Sequence, residues 1–240
     1  MSGRSGQPLS VLVTGAGMPV GERLVRVLLE DSRVNHVTAI MGDDPANLPI
    51  RTQLGEKDRL SVFQLDLSRP RRLHDLMFGP ARERGVNAVV HTALHRSAYA
   101  EGNRVHSFNV EALRSIIEFS ERHPTIKQLV VRSAADVYQV QRDLPNLVEE
   151  DHPLNMAGNA PQWVRDRLEA DVTACTRMGM SSLSICVLRM AEVLGPGTGS
   201  QVFDYLQSPL CLRPAGFDPM VNLMTIDDAA AAFRKALHAQ

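Results

Sequence analysis

The stretch LSVLVTGAGMPVGERLVRVLLED, residues 9–31, decides the fold. Its first part, LSVLVTG (9–15), is a short apolar run rich in β-branched residues and ending in glycine. That composition predicts a strand buried on both faces. Its second part, GERLVRVLLED (21–31), sets Leu24, Val25, Val27 and Leu28 at helical spacing. Between them VTGAGMPVG carries Gly15, Gly17 and Gly21. A glycine-rich turn from strand to helix lets backbone N–H groups and the helix N-terminus hold a pyrophosphate. A tight strand–helix turn that holds nothing accounts for the same residues.

The alternation repeats outward from this unit. HVTAIMG (36–42), LSVFQLDL (60–67), VNAVVHTAL (86–94), IKQLVVRSA (126–134) and SLSICVLRM (182–190) read as five further strands. PRRLHDLMF, with Pro70 near its start, SFNVEALRSIIEFSERH (107–123) and residues 161–178 read as helices. Strands and helices at this spacing predict βαβ units. The expected fold is α/β, a doubly wound parallel sheet of about six or seven strands with helices on both faces. Ligands in such sheets bind at the carboxyl ends of the strands. Residues 1–8 read as a flexible polar lead-in, and 9–240 as one Rossmann-like domain.

The chain has 240 residues, 44% hydrophobic and 22% charged, with a formal net charge of -1. No global basic field exists to attract nucleic acid or an acidic membrane. No run approaches the roughly 18 apolar residues of a membrane span, and the start lacks the apolar core of a signal peptide. Cys175, Cys186 and Cys211 lack metal-ligand spacing and read as reduced thiols of a cytoplasmic protein, packed as small apolar groups. His91 and His95 straddle a strand end. They read as a half-buried and a solvent histidine and not as metal ligands. His36 and His74 read as surface residues. Asp227-Asp228 read as a helix cap, and Arg69, Arg71 and Arg72 as a solvated helix start.

Eight segments occur in an informative order. They are TGAGMPVG (14–21), Asp66-Leu67, VVHTA (89–93), Asn109-Val110, RSAADVYQ (132–139), EEDHPL (149–154), LRMAEVLGPG (188–197) and NLMTIDDAAAAFRKAL (222–237). In that order they resemble the motifs of the extended short-chain dehydrogenase/reductases, in the NAD-dependent epimerase/dehydratase branch. The resemblance implies a Rossmann fold with an NAD or NADP site. It assigns Gly15, Gly17, Met18, Pro19 and Gly21 to the pyrophosphate turn. Asp66 and Leu67 fall beside the adenine, Thr92 and Ala93 beside the cofactor, and Asn109 on the long helix. It also implies a homodimer through the two long helices, 107–122 and 161–178. Such proteins run on past the DDAAAAF helix into a seventh strand and a substrate region. The expectation here is a reduced or missing substrate region, in a minimal protein or in a piece of a longer one.

The departures from that pattern are specific. In the resembled family a Tyr-x-x-x-Lys pair and a Ser or Thr do the chemistry. Within PQWVRDRLEAD (161–171) the Tyr and Lys positions fall on Trp163 and Arg167. Tryptophan carries no titratable proton to relay, and arginine is not deprotonated. The Ser or Thr position falls on Ala134, with Ser133 one residue early and facing the other side of the strand. Met18 stands at the middle glycine, where the backbone would approach the pyrophosphate, and Pro19 removes a donor. Met41 stands at the ribose-binding acid, with Asp43 and Asp44 just beyond it. The expectation is a pseudoenzyme that binds a partner protein or a nucleotide, with weakened NAD or NADP affinity and Arg167 as a remaining contact. The alternative is an atypical NAD(P)-dependent oxidoreductase or nucleotide-sugar epimerase/dehydratase with a rearranged site. There Ser133, Asp136, Tyr138 or Glu192 would take over proton transfer. Tyr138 with Arg142 reads as the structural tyrosine of a strand end in preference to a displaced catalytic pair.

Overall fold

The computed structural model describes residues 8–42, 58–95, 102–141, 144–145, 147–212, 215–216 and 220–239. Asp43, Asp44 and Arg142 lie outside the described residues. Six strands form one parallel sheet: β1 (Leu9–Thr14), β2 (Val34–Met41), β3 (Leu60–Gln64), β4 (Ala88–His91), β5 (Gln128–Ala134) and β6 (Ser184–Met190). Their spatial order is β3-β2-β1-β4-β5-β6, so the winding reverses at β1 beside β4. This is a doubly wound Rossmann sheet, and its crevice lies at the carboxyl ends of β1 and β4. A separate two-stranded parallel ribbon joins β7 (Glu192–Leu194) to β8 (Leu223–Thr225).

The strand alternation sorts the core into two layers. Val11, Val13, Ala39, Val90 and Val130 face one side, where they meet α1 (Pro19–Glu30) and the C-terminal helix. Leu12, Ile40, Val89, Leu129 and Val131 face the other. There they meet α2 (Pro70–Leu76) and a long helical rod. The rod runs from α3 (Asn103–His106) through a π-helical stretch, Ser107–Glu111, into α4 (Ala112–Arg122). It begins four residues before the apolar periodicity does, because its first turn is polar. α5 (Gln162–Arg177) packs beside this rod, while α6 (Gln201–Gln207) lies between β7 and β8. The last helix, α7 (Ile226–His238), packs on α1. Asp31 ties the ends of that pair. Its carboxylate accepts hydrogen bonds from Arg33 at 3.0 and 3.1 Å and lies 3.1 Å from His238 Nε2. The Arg33 guanidinium holds this carboxyl well below the usual carboxylate range.

Two expectations need correction. The cap of α7 is Thr225, whose Oγ1 accepts from the Asp228 N–H at 3.0 Å, and Asp227 and Asp228 occupy its first turn. A hydroxyl one residue before the helix fits the cap geometry, and the carboxylates then favour the positive end of the helix dipole. Cys211 is exposed and not packed, its thiol 3.2 Å from the Tyr205 carbonyl. No helix among the described residues is long and apolar enough to cross a membrane.

The β1–α1 turn is held by contact too close for side chains. A Cβ on Gly21 would stand 2.1 Å from the Gly15 carbonyl oxygen and 2.7 Å from Thr92 Oγ1. Gly15 has φ +71°, and a Cβ there would meet Ala93 backbone at 2.7 Å. Gly21→Ala is expected to destabilise the fold by about 3 kcal/mol or more, since backbone and not a flexible side chain must move. Urea unfolding of the variant beside the parent checks this.

Candidate functional site

The crevice begins with the turn after β1. The Met18 N–H donates to the Gly15 carbonyl at 2.9 Å, and the Met18 carbonyl accepts from Glu22 at 2.8 Å, so Met18 caps α1 and Pro19 is its first residue. Proline suits that place, since its missing N–H would lack a helical partner anyway. The Met18 side chain does not follow its own helix. It packs against the hydrophobic layer on the opposite face of the sheet. The loop after β7 also reaches this point, where a Cβ on Gly197 would stand 3.4 Å from the Pro19 ring. Met41 is buried in the α1 layer.

The floor is polar and tightly bonded. Thr14 Oγ1 lies 2.7 Å from His91 Nδ1, and Thr92 Oγ1 donates to the Thr14 carbonyl at 2.7 Å. Burial lowers His91 from 6.5 to about 4, so its imidazole is neutral. Asn109 reaches from the rod and accepts the His95 N–H at 2.8 Å, which fixes the loop beyond β4. Asp66 accepts from the Ser68 N–H at 2.9 Å and its hydroxyl at 2.6 Å. Burial raises its pKa, but these bonds and Arg69 outweigh that and leave it below the ordinary value. Leu67, next to it, is core. Arg69, Arg71 and Arg72 are exposed at the start of α2.

At the other end of the crevice, α5 brings Trp163 and Arg167 onto one face. The Arg167 guanidinium lies 4.5 Å over the Trp163 ring and pairs with Asp136 in the short turn after β5. Arg167 is only 4% exposed while the Asp136 side chain is 28% exposed, so the guanidinium is buried and its partner reaches partly to solvent. His95 stands near the same charge. It is half-buried and not solvated as its loop position suggested, and burial, then Arg167, push its pKa down. Asp136 Oδ1 and His95 Nδ1 are buried and have no hydrogen-bond partner among the described residues.

The other candidate acids and hydroxyls are bonded elsewhere. Ser133 Oγ donates to Asp171 Oδ2 at 2.5 Å, one turn further along α5 than Arg167. Arg189 makes two bonds to the same carboxylate, 2.7 and 3.0 Å, and another to the Tyr138 hydroxyl at 3.0 Å, over whose ring it stacks. Glu192 accepts from Ser200 and from the Val202 N–H, which anchors the start of α6. Ala134 is buried on the strand face opposite Ser133. Of the four candidates, Asp136 is the one beside Trp163 and Arg167. Sequence patterns carried no signal for the Asp136–Arg167 and Asp171–Arg189 pairs, whose members lie on different elements. Histidine placement is also corrected at His36, which is half-buried and 3.1 Å from Ser61 Oγ. No group of three metal-ligating side chains occurs among the described residues. A groove of about 280 Å³ lies elsewhere, between residues 155–158 and the outer face of α5 at Arg165, Leu168 and Val172.

The family model for the NAD dependent epimerase/dehydratase family matches residues 11–239. The chain belongs to that family. Uncharacterised proteins of Mycobacterium tuberculosis and Mycobacterium bovis are 25% identical over 233 residues, 95% of this chain and 59% of theirs. The chain thus spans 59% of the length of these curated relatives. Three solved structures share the fold of this family member. The dTDP-glucose 4,6-dehydratase of Bacillus anthracis in complex with NAD has TM-score 0.75 and 21% identity, over 96% of this chain and 72% of that one. The UDP-glucuronic acid 4-epimerase of Bacillus cereus, with UDP-glucuronic acid and NAD, has TM-score 0.76 and 19% identity, over 97% and 74%. Yeast methylglyoxal/isovaleraldehyde reductase Gre2, with NADPH, has TM-score 0.78 and 14% identity, over 97% and 75%.

The neutral histidine sets a pH dependence. The unfolded chain takes up a proton at His91 near pH 6.5 and the folded chain only near pH 4. Between those values the unfolded state holds more protons, so stability falls as pH falls. Up to about 3 kcal/mol should be lost across this window. Denaturant unfolding at stepped pH should show that slope, and His91→Gln should flatten it. Asp136→Ala should cost about 3 kcal/mol by removing the carboxylate paired with buried Arg167. The double variant Asp136→Ala/Arg167→Met should recover part of it in the same assay.

Proposed function

We propose that this protein is a nucleotide-binding member of its family that works by binding and not by a Tyr/Lys hydride relay. The observation that carries this reading is the locked trio Trp163, Arg167 and Asp136. The indole has no proton to give or take at neutral pH, and the guanidinium remains charged. Asp136 binds that guanidinium, and the neighbouring hydroxyl, Ser133, is bound to Asp171. No tyrosine stands in the trio to act as acid or base.

The residues present fit a nucleotide in part. Gly15 and Gly21 keep the close turn that brings the start of α1 to the strand ends. Asp66 is an ionised, half-buried carboxylate suited to accept from a base or a ribose. Thr92, Ala93 and Asn109 hold the floor and the adjoining loop. Gly17 and Leu67 complete the turn and the wall. Arg167 would meet a ribose or a phosphate at the far end. Met18 and Pro19 oppose tight binding, the first by side-chain volume at the turn and the second by a missing donor. NAD or NADP, which the solved neighbours contain, is therefore expected to bind weakly. When bound, the nicotinamide would supply hydride chemistry. A protein partner is the other ligand class this reading admits.

One observation favours a second reading. Asp136 Oδ1 and His95 Nδ1 are buried polar atoms with no hydrogen-bond partner among the described residues, beside the same arginine. In an atypical oxidoreductase or epimerase/dehydratase, Asp136 would move the proton that a tyrosine moves elsewhere.

Trp163 is the chain's sole tryptophan, so its fluorescence reports directly on this crevice. Calorimetric and fluorescence titrations with NAD⁺, NADH, NADP⁺ and NADPH should give dissociation constants above about 10 μM, with no cofactor turnover. Absence of binding at millimolar cofactor would remove the nucleotide from the proposal. Turnover that Asp136→Asn abolishes while binding persists would establish the second reading.

A further inference from the structure

We infer that His106 and Asp166 form a latch that fixes the first turn of α5 against the helical rod, and that proton loss from the imidazole loosens the wall carrying Trp163 and Arg167. The inference does not depend on which ligand the crevice takes. Two i,i+4 pairs lie on adjacent sides of that turn. Trp163 and Arg167 face the Asp136 turn, while Gln162 and Asp166 face the rod. The Gln162 amide clasps the backbone of Gly102 at the start of the rod, accepting its N–H at 2.9 Å and donating to its carbonyl at 3.1 Å. The same amide donates to Asp166 Oδ2 at 3.2 Å. On the other side of that carboxylate, Oδ1 lies 3.0 Å from His106 Nδ1. Gly102, Gln162, Asp166 and His106 thus join the first turn of the rod to the first turn of α5.

Charge decides what the latch responds to. Asp166 is almost fully buried. Of its partners His106 and Gln162, only the imidazole can carry a positive charge, and a buried carboxylate without a counter-charge is costly. The His106 side chain is 33% exposed and so exchanges protons with solvent. Its Nε2 lies 3.7 Å from Glu111 of the rod, and Glu169 of α5 stands close by. Arg114, the facing cation, is shared between Glu111 and Glu169 at 2.6 Å. Three carboxylates therefore surround the ring against one guanidinium. The hydrogen bond to Asp166 is the main cause that holds His106 above 6.5, with burial opposing it and the charges of Asp166, Glu169 and Glu111 adding to it. A group raised in this way contributes stability that is complete below its unfolded value and is lost as pH rises through its folded one. The neutral ring can still donate from Nδ1, but it gives up its charge and its Nε2–H. Arg114–Glu169 and Arg177–Glu121 also join the rod to α5, and their guanidinium groups stay charged throughout. The link that titrates near neutral pH is therefore the one at the end of α5 that borders the crevice.

Trp163 reports on the latch in the ligand-free full chain. Acrylamide quenching of its fluorescence should rise on the order of twofold between about pH 6 and about pH 9, as the first turn of α5 opens locally. The midpoint should lie above 6.5 and match the His106 imidazole titration followed by NMR. His106→Gln keeps an N–H donor for Asp166 without the charge, and its quenching should stay at the alkaline level across that range. Asp166→Asn should bring the His106 midpoint down to 6.5 or below. Glu111→Gln, at a half-exposed position, should bring it down by less, and that readout still applies if the asparagine variant does not fold. His95→Gln should leave the step in place, because burial and Arg167 hold His95 below 6.5. Quenching of the parent without pH dependence, a step that survives His106→Gln, or a His106 midpoint that Asp166→Asn and Glu111→Gln leave unmoved would each overturn the inference.

Discussion

The closeness of two backbones, where the turn after β1 passes the end of β4, governs the rest of the molecule. Gly21 lies so near the Gly15 carbonyl and Thr92 that no Cβ fits. That contact sets the angle at which α1 leaves the sheet, and with it the face on which α7 can pack. It also places the start of α1 at the winding reversal of the sheet, where a parallel fold leaves its crevice. The Thr14–His91–Thr92 bonds lie directly beneath it. Burial keeps the His91 imidazole neutral, which ties the stability of the crevice floor to pH.

The two ends of that crevice are built from different physics. At the α1 end the constraint is steric, and Met18 and Pro19 change how much room and how many donors remain. At the α5 end it is electrostatic. A nearly buried guanidinium is tolerated because Asp136 neutralises it and Trp163 offers its ring face. A second carboxylate–guanidinium pair, Asp171 with Arg189, sits one helical turn away and draws in Ser133 and Tyr138. The two pairs divide Ser133, Asp136, Tyr138, Arg167 and Asp171 between them. The hydroxyls go to the inner network, while Asp136 alone of the candidates faces the indole. Helix α6 follows another rule again, since none of its seven residues is buried.

The fold was legible in the chain because periodicity is a local property. The short apolar runs of β1 to β6 and the helical spacing in α1, α4 and α5 need no knowledge of distant residues. The family resemblance was legible for the same reason, as its motifs are short and lie in order. Element ends were less so. The rod starts at Asn103 and passes through a π-helical stretch, Thr225 and not Asp227 caps α7, and β7 and β8 are too short to show a period.

By itself the sequence determined the alternating α/β order, the glycine turn after β1 and the residue types at Trp163, Arg167, Ala134 and Met18. Only the tertiary structure decided that Arg167 pairs with Asp136, that Ser133 and Tyr138 belong to the Asp171–Arg189 network, that His95 is half-buried and that Cys211 is exposed. The reason is physical. Hydrophobic periodicity encodes which face of an element turns inward. A charge finds its counter-ion across elements, at separations such as the 31 residues from Asp136 to Arg167, and that pairing exists only once the sheet has assembled.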